Sequence, residues 1–125
     1  MPTLSGIYTS SSGQVLGIND QDELIVLPSG HEPASLRTDA EFWLCRGDGS
    51  AGKFGDPSKV RLRSQGEEYH IWVETRGFSD GSNEYGLVVI PPGQEYSNRF
   101  LAVNKRGELE ILDSWTDEAK FRCVE

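Results

Sequence analysis

The chain has 125 residues, a length that suits one domain around one core, expected here over residues 1–125. Its formal charge of −8 argues against a nucleic-acid partner, because binding a phosphate backbone requires a basic face. No stretch approaches the run of about 18 apolar residues that would cross a membrane. The opening MPTLSGIYTSSSG has neither the basic region nor the apolar region of a secretion signal, so a cytoplasmic protein is expected.

In chain order, short runs rich in Val, Ile, Leu, Tyr and Trp read as strands: GIYTS (6–10), QVLGI (14–18), ELIVL (23–27), EFWLC (41–45) and KVRLR (59–63). EYHIWVE (68–74), YGLVVI (85–90), RFLAVN (99–104), ELEIL (108–112) and KFRCV (120–124) complete the set. SSSG, NDQD, PSG, SQGE, PPG and NKRG separate them as turns, and DEAKF near the end starts at most one helical turn. The pattern is all-β.

Two segments repeat. VLGINDQDELIVL (15–27) lies over FLAVNKRGELEIL (100–112), and TDAEFWLC (38–45) over TDEAKFRC (116–123). A more divergent middle copy places the starts of three units near Gly6, Phe42 and Leu87. Three copies of a small antiparallel unit predict a β-trefoil with pseudo-threefold repeat, although the strand pattern falls two short of a full one.

Several side chains invite chemistry. In RGDGSAGKFGDPSK (46–59), Gly47–Lys53 has the spacing of a phosphate loop. Phe54 stands where the metal-binding hydroxyl belongs, and Gly55-Asp56-Pro57 prevents the helix that must follow. Asp48 and Asp56 lack calcium-loop spacing, and Arg46-Gly47-Asp48 is a common chance triplet, so the stretch reads as a long inter-repeat loop open to recognition. Cys45 and Cys123 have no neighbouring His or C-x-x-C spacing; free buried thiols are preferred over a disulfide. His31 falls in a turn, and His70 is expected to fill a barrel face. Lys59, Arg61 and Arg63 should share one solvated strand face, and Glu67, Glu68, Glu108 and Glu110 read as surface charge. Tyr85, Tyr96 and Trp115 lie near loops and would mark a recognition patch if two of them were exposed together. No nucleophile, metal set or cofactor cradle emerges, so neither an enzyme nor a cofactor is expected.

SGIYTS, QVLGIN, LIVLPSG and EFWLCRG together resemble the first repeat of the small mushroom β-trefoil proteins, a group of mycocypins, cocaprins, lectins and serine-protease inhibitors. The resemblance implies a rigid scaffold that presents loops to protease clefts. In the cysteine-protease inhibitors of this group the loops after the first and third strands enter the cleft. The matching stretches are Thr9–Gly13 and Pro28–Arg37, with Ser10, Ser11, Ser12, Gly13, Ser29, Gly30, His31 and Glu32 as the contacting residues. Gly13 and Gly30 are expected there to permit close backbone approach. The implied partners are papain-like cysteine proteases and, secondarily, aspartic ones. A carbohydrate-binding lectin is the alternative, without the Gln-x-Trp signature of the ricin type, since Glu41, His70 and Asp113 precede Trp43, Trp72 and Trp115. VRLRSQGEEYHIWV also matches actin-binding trefoils loosely, but an acidic domain suits acidic filaments poorly.

Overall fold

The computed structural model describes residues 5–19, 21, 23–28, 35–39, 41–47, 59–77 and 83–124. They form β1 (Ser5–Ser10), β2 (Leu16–Ile18), β3 (Leu24–Val26), β4 (Leu36–Thr38), β5 (Leu44–Arg46) and β6 (Arg61–Ser64). β7 (Glu67–Gly77), β8 (Asn83–Ile90), β9 (Phe100–Val103), β10 (Leu109–Leu112) and β11 (Lys120–Val124) follow. A 3-10 turn, Asp117–Ala119, sits where DEAKF suggests one. Among the described residues no helix is long and apolar enough to cross a membrane.

All the strand ladders are antiparallel. β1 lies between β11 and β4, and β4 pairs in turn with β5. A bridge between Trp43 and Trp72, with the Val73 N–H donating to the Phe42 carbonyl at 2.8 Å, carries the chain from β5 to β7. β7 then pairs with β8, and β8 with β11. The curled sheet therefore returns along its own pairings to β1. Three hairpins project from this circuit: β2–β3, β6 with the first half of β7, and β9–β10.

Turn chemistry explains two of the hairpins. The Asn19 side-chain oxygen accepts from the N–H groups of Gln21 (2.8 Å) and Glu23 (3.0 Å). Asn104 repeats this with Arg106 (2.9 Å) and Glu108 (3.0 Å). Asp39 does the same for Glu41 and Trp43, at 2.9 and 3.0 Å, in the link between β4 and β5. An oxygen on a short side chain satisfies two amides that a tight reversal would otherwise leave without partners. At the third hairpin, Gln65 (φ 51°) and Gly66 (φ 82°) supply the left-handed pair of a two-residue turn.

Side-chain alternation builds two apolar clusters on opposite faces of one sheet. Leu87, Val89, Leu101 and Val103 point into the main core with Tyr8, Leu16, Leu36, Ile71 and Phe121. Val88, Ile90, Phe100 and Ala102 face the other way, against Ala119 and the half-buried Trp43, Trp72 and Trp115. This double burial is why YGLVVI is an unbroken apolar run and does not alternate with polar residues.

The structure corrects three sequence expectations. β4 lies in PASLRT, which reads as loop because it offers one large apolar residue; Leu36 and Thr38 are nevertheless fully buried between β1 and β5. EFWLC becomes a strand only at Leu44, because Phe42 takes a left-handed φ of 69°, held by its N–H to the Asp39 carbonyl at 3.0 Å. Finally, TDAEFWLC leads into β5 whereas TDEAKFRC leads into β11, so these stretches occupy different places after their hairpins. β11 and β4 are the two strands that flank β1.

Neither cysteine is in a disulfide among the described residues; Cys45 is buried and Cys123 half-buried. Burial, followed by the neighbouring Cys123 thiol and by Tyr85, pushes the Tyr8 hydroxyl pKa far above the usual tyrosine value. Tyr85 is raised too, first by burial and then by Cys123. Both hydroxyls hold their protons in the folded chain at a pH where the unfolded chain ionises. Their contribution to stability is therefore complete below about pH 10 and declines above it.

Two outcomes check this account. Asn104→Ala should lower stability by about 1–2 kcal/mol in urea unfolding, and Asn104→Asp, which keeps the accepting oxygen but sets a carboxylate against Glu110 where the Asn104 Nδ2 donates at 2.9 Å, should recover more of that loss at pH 3 than at pH 7. The urea midpoint should fall as pH rises from about 10 to 12, and less steeply in Tyr8→Phe; equal slopes would contradict the assignment to Tyr8.

Candidate functional site

The reversal after β1 holds four of the residues implicated by sequence. Ser10 N–H donates to the Gln14 carbonyl at 2.8 Å, and Gly13 N–H to the Ser10 carbonyl at 3.0 Å. The buried Ser10 Oγ accepts from Gln14 N–H at 3.0 Å and shares a further 3.0 Å hydrogen bond with Ser12 Oγ. Outside that base, Ser11, Ser12 and Gly13 are exposed. Gly13 has φ +88°, and a Cβ there would meet nothing within 4 Å. The glycine thus serves the left-handed turn.

One contact pins the tip from far away in sequence. Ser11 Oγ donates to the Asp117 carbonyl at 2.7 Å, tying the turn to the 3-10 turn before β11. A cleft of about 350 Å³ opens beside it, lined by Ser10, Ser11, Gly13, Glu84, Lys120 and Arg122. Lys120 Nζ lies 2.9 Å from an Asp117 carboxylate oxygen and 5.4 Å from the centre of the Trp115 ring. The structure therefore offers a short, hydrogen-bonded, exposed turn beside mixed charge.

The second sequence-implied loop is only partly visible. Ser29, Gly30, His31 and Glu32 lie outside the described residues. Its assigned end is corrected, since Leu36 and Arg37 belong to β4. Residues 48–58 of the RGDGSAGKFGDPSK stretch also lie outside; at its near end Arg46 closes β5, and at its far end Lys59 Nζ sits 4.9 Å above the Trp43 ring.

Charges on the β6–β7 hairpin are paired. Arg63 contacts Glu68 at 2.8 Å and Glu23 at 3.0 Å, and Arg61 lies 3.4 Å from Glu68. The Arg63 hydrogen bond holds the Glu68 carboxyl below its usual range, against some desolvation and with the charge of Arg61 helping. Tyr69 OH donates to Glu67 at 2.7 Å, which raises the tyrosine pKa. These exposed pairs order the hairpin surface but contribute little stability.

Aromatic residues give a second exposed feature. His70 does not fill the core: it is exposed, with its ring 5.9 Å from Trp43 in an edge-on arrangement, because Tyr69 and Ile71 take the inward positions. Tyr85 is buried and Trp115 half-buried, so of the three aromatics near loops Tyr96 alone is exposed, at 54%. Tyr96 sits edge-on to Trp72 at 6.4 Å, and Trp72 Nε1 donates to the Glu41 carbonyl at 2.9 Å. Among the described residues no group of three His, Cys, Asp or Glu side chains comes together to hold a metal. The Ser11–Asp117 contact could not be read from sequence, where 106 positions separate the partners.

No protein-family model, curated protein or solved structure matches the chain.

The turn's rigidity has a direct test. Ser10→Ala removes the Oγ that holds Gln14 N–H and Ser12, and should cost about 1–2 kcal/mol while speeding exchange of the Gln14 amide. Ser11→Ala, which removes an exposed contact, should cost about 0.5–1 kcal/mol in the same urea measurement.

Proposed function

We propose that this chain is a non-enzymatic β-trefoil inhibitor, acting in the cytoplasm on papain-like cysteine proteases and secondarily on aspartic ones. The pairing circuit with its three hairpins supports the trefoil reading, as does the match between the β2–β3 and β9–β10 hairpins and their Asn19 and Asn104 turns.

The observation that carries the inhibitor reading is the Thr9–Gly13 turn. Its tip is exposed, yet its base is closed by backbone and Ser10 hydrogen bonds and its flank is fixed to Asp117. A loop already held in one shape loses little conformational entropy on entering a cleft, so more of its contact energy appears as affinity. Inhibition is then steric occlusion of the cleft by backbone and short side chains at Ser11, Ser12 and Gly13.

Tyr96 favours a second reading as a carbohydrate-binding module. An exposed ring braced edge-on by Trp72 could stack on a sugar. A glycan array with wild type and Tyr96→Ala separates the two, since signal lost in the variant would support the lectin.

The decisive measurement for the inhibitor is a panel of papain and pepsin. Inhibition of papain at micromolar concentration or below is expected, and Ser12→Trp at the tip should weaken it at least about tenfold with the fold intact. No inhibition of either protease at micromolar concentration would remove the proposal.

A further inference from the structure

Among the described residues, one side of β10 has no strand beside it. The Asn104 N–H donates to the Glu108 carbonyl at 3.0 Å, and the ladder runs on from Leu109 opposite Val103 to Leu112 opposite Phe100. Hydrogen-bonded and non-bonded pairs alternate in an antiparallel ladder. Counted from Glu108, residues Glu110 and Leu112 exchange bonds with β9, while the N–H and C=O groups of Leu109 and Ile111 point away from it. Among the described residues β10 pairs with β9 alone, and no isolated bridge reaches it.

That open edge borders space. A cleft of about 510 Å³ runs along Leu109–Asp113 towards Ser64, Tyr69 and Arg99, within the size range of ligand sites. A second cleft of about 260 Å³ shares Ser64, Leu109, Glu110 and Ile111 with it. Leu109 and Ile111 send their side chains against the main core, which leaves their outward backbone groups available to whatever lies alongside.

We propose that β10 is a strand-addition site that takes an extended, lysine- or arginine-bearing segment of a partner protein. The outward N–H and C=O groups of Leu109 and Ile111 alternate as the groups of an extended backbone do, the pattern that strand addition uses. Charge selects its side chains: Glu110 and the exposed Asp113 line the larger cleft with Arg99, which lies 3.9 Å from Asp113, while Arg63 of the smaller cleft is held by Glu23 and Glu68, on a chain of net charge −8. The same acidity disfavours a second copy of this chain, which would bring like charges together along the shared edge. The surface is distinct from the Thr9–Gly13 turn, so this proposal stands or falls separately from protease inhibition.

The test titrates the full chain with the acetylated, amidated hexapeptide KVTVKV and follows amide exchange residue by residue. Exchange at Leu109 and Ile111 should slow by about tenfold or more at saturating peptide. The same peptide N-methylated at alternate residues should have no effect. Ile111→Pro removes an N–H that β9 does not use and should abolish the slowing. Should that variant fail to fold, Glu110→Lys combined with Asp113→Lys should weaken peptide binding at least about tenfold. Unchanged exchange at millimolar peptide, or equal binding of the N-methylated peptide, overturns the proposal. Slowing that follows protein concentration without peptide also overturns it, by assigning the edge to a second copy.

Discussion

The pairing of β1 with its two neighbours is the constraint on which the rest of this structure depends. From Ile7 to Ser10 the strand lies against β11, and at Ser5 and Gly6 against β4. These ladders bring the two ends of the chain together and shut the circuit around Tyr8 and Phe121, both fully buried. Contacts so distant in sequence carry a large loop-closure entropy, and the apolar side chains enclosed by the closed circuit offset it.

That same pairing positions the turn proposed to act. Because β1 runs beside β11, the residues just after Ser10 emerge beside the 3-10 turn that precedes Lys120, and the Ser11–Asp117 contact follows from this placement. The turn is ordered from both sides: its own Ser10 closes the base, and the far end of the chain braces the tip. Occlusive binding depends on this division, with a scaffold holding the shape and short side chains leaving the backbone accessible.

The circuit also decides what remains open. β9 lies between β8 and β10, whereas β10 stands at the end of the sheet and, among the described residues, has a strand on one side alone. Natural sheets usually guard such edges with charge. Arg61 and Arg63 tie β6 to Glu23 and Glu68 across the neighbouring hairpins, whereas β10 carries Glu110 on its other face and leaves Leu109 and Ile111 with outward backbone groups. The aromatic cluster is a separate consequence of the curl. Val88, Ile90 and Phe100 form a second apolar face, which Trp43, Trp72 and Trp115 partly cover and at whose margin Tyr96 meets solvent.

Much of this was legible from residues alone, wherever the cause is local. Alternation and β-branched runs located nearly every strand, NDQD and NKRG marked the Asn-capped hairpins, and the likeness of 15–27 to 100–112 reflects two equivalent hairpins. Three features needed the tertiary structure. β4 has a single large apolar residue, and its strand conformation is imposed by β1 and β5. Sequence places His70 inward, but strand register gives that side to Tyr69 and Ile71. The Ser11–Asp117 brace and the open edge of β10 both depend on which strands become neighbours. Sequence by itself determined the all-β character and the turns, because side-chain period and turn chemistry act over a few residues. Tertiary structure decided which surfaces are pinned and which are free, because strand partnership is a property of the whole closed circuit.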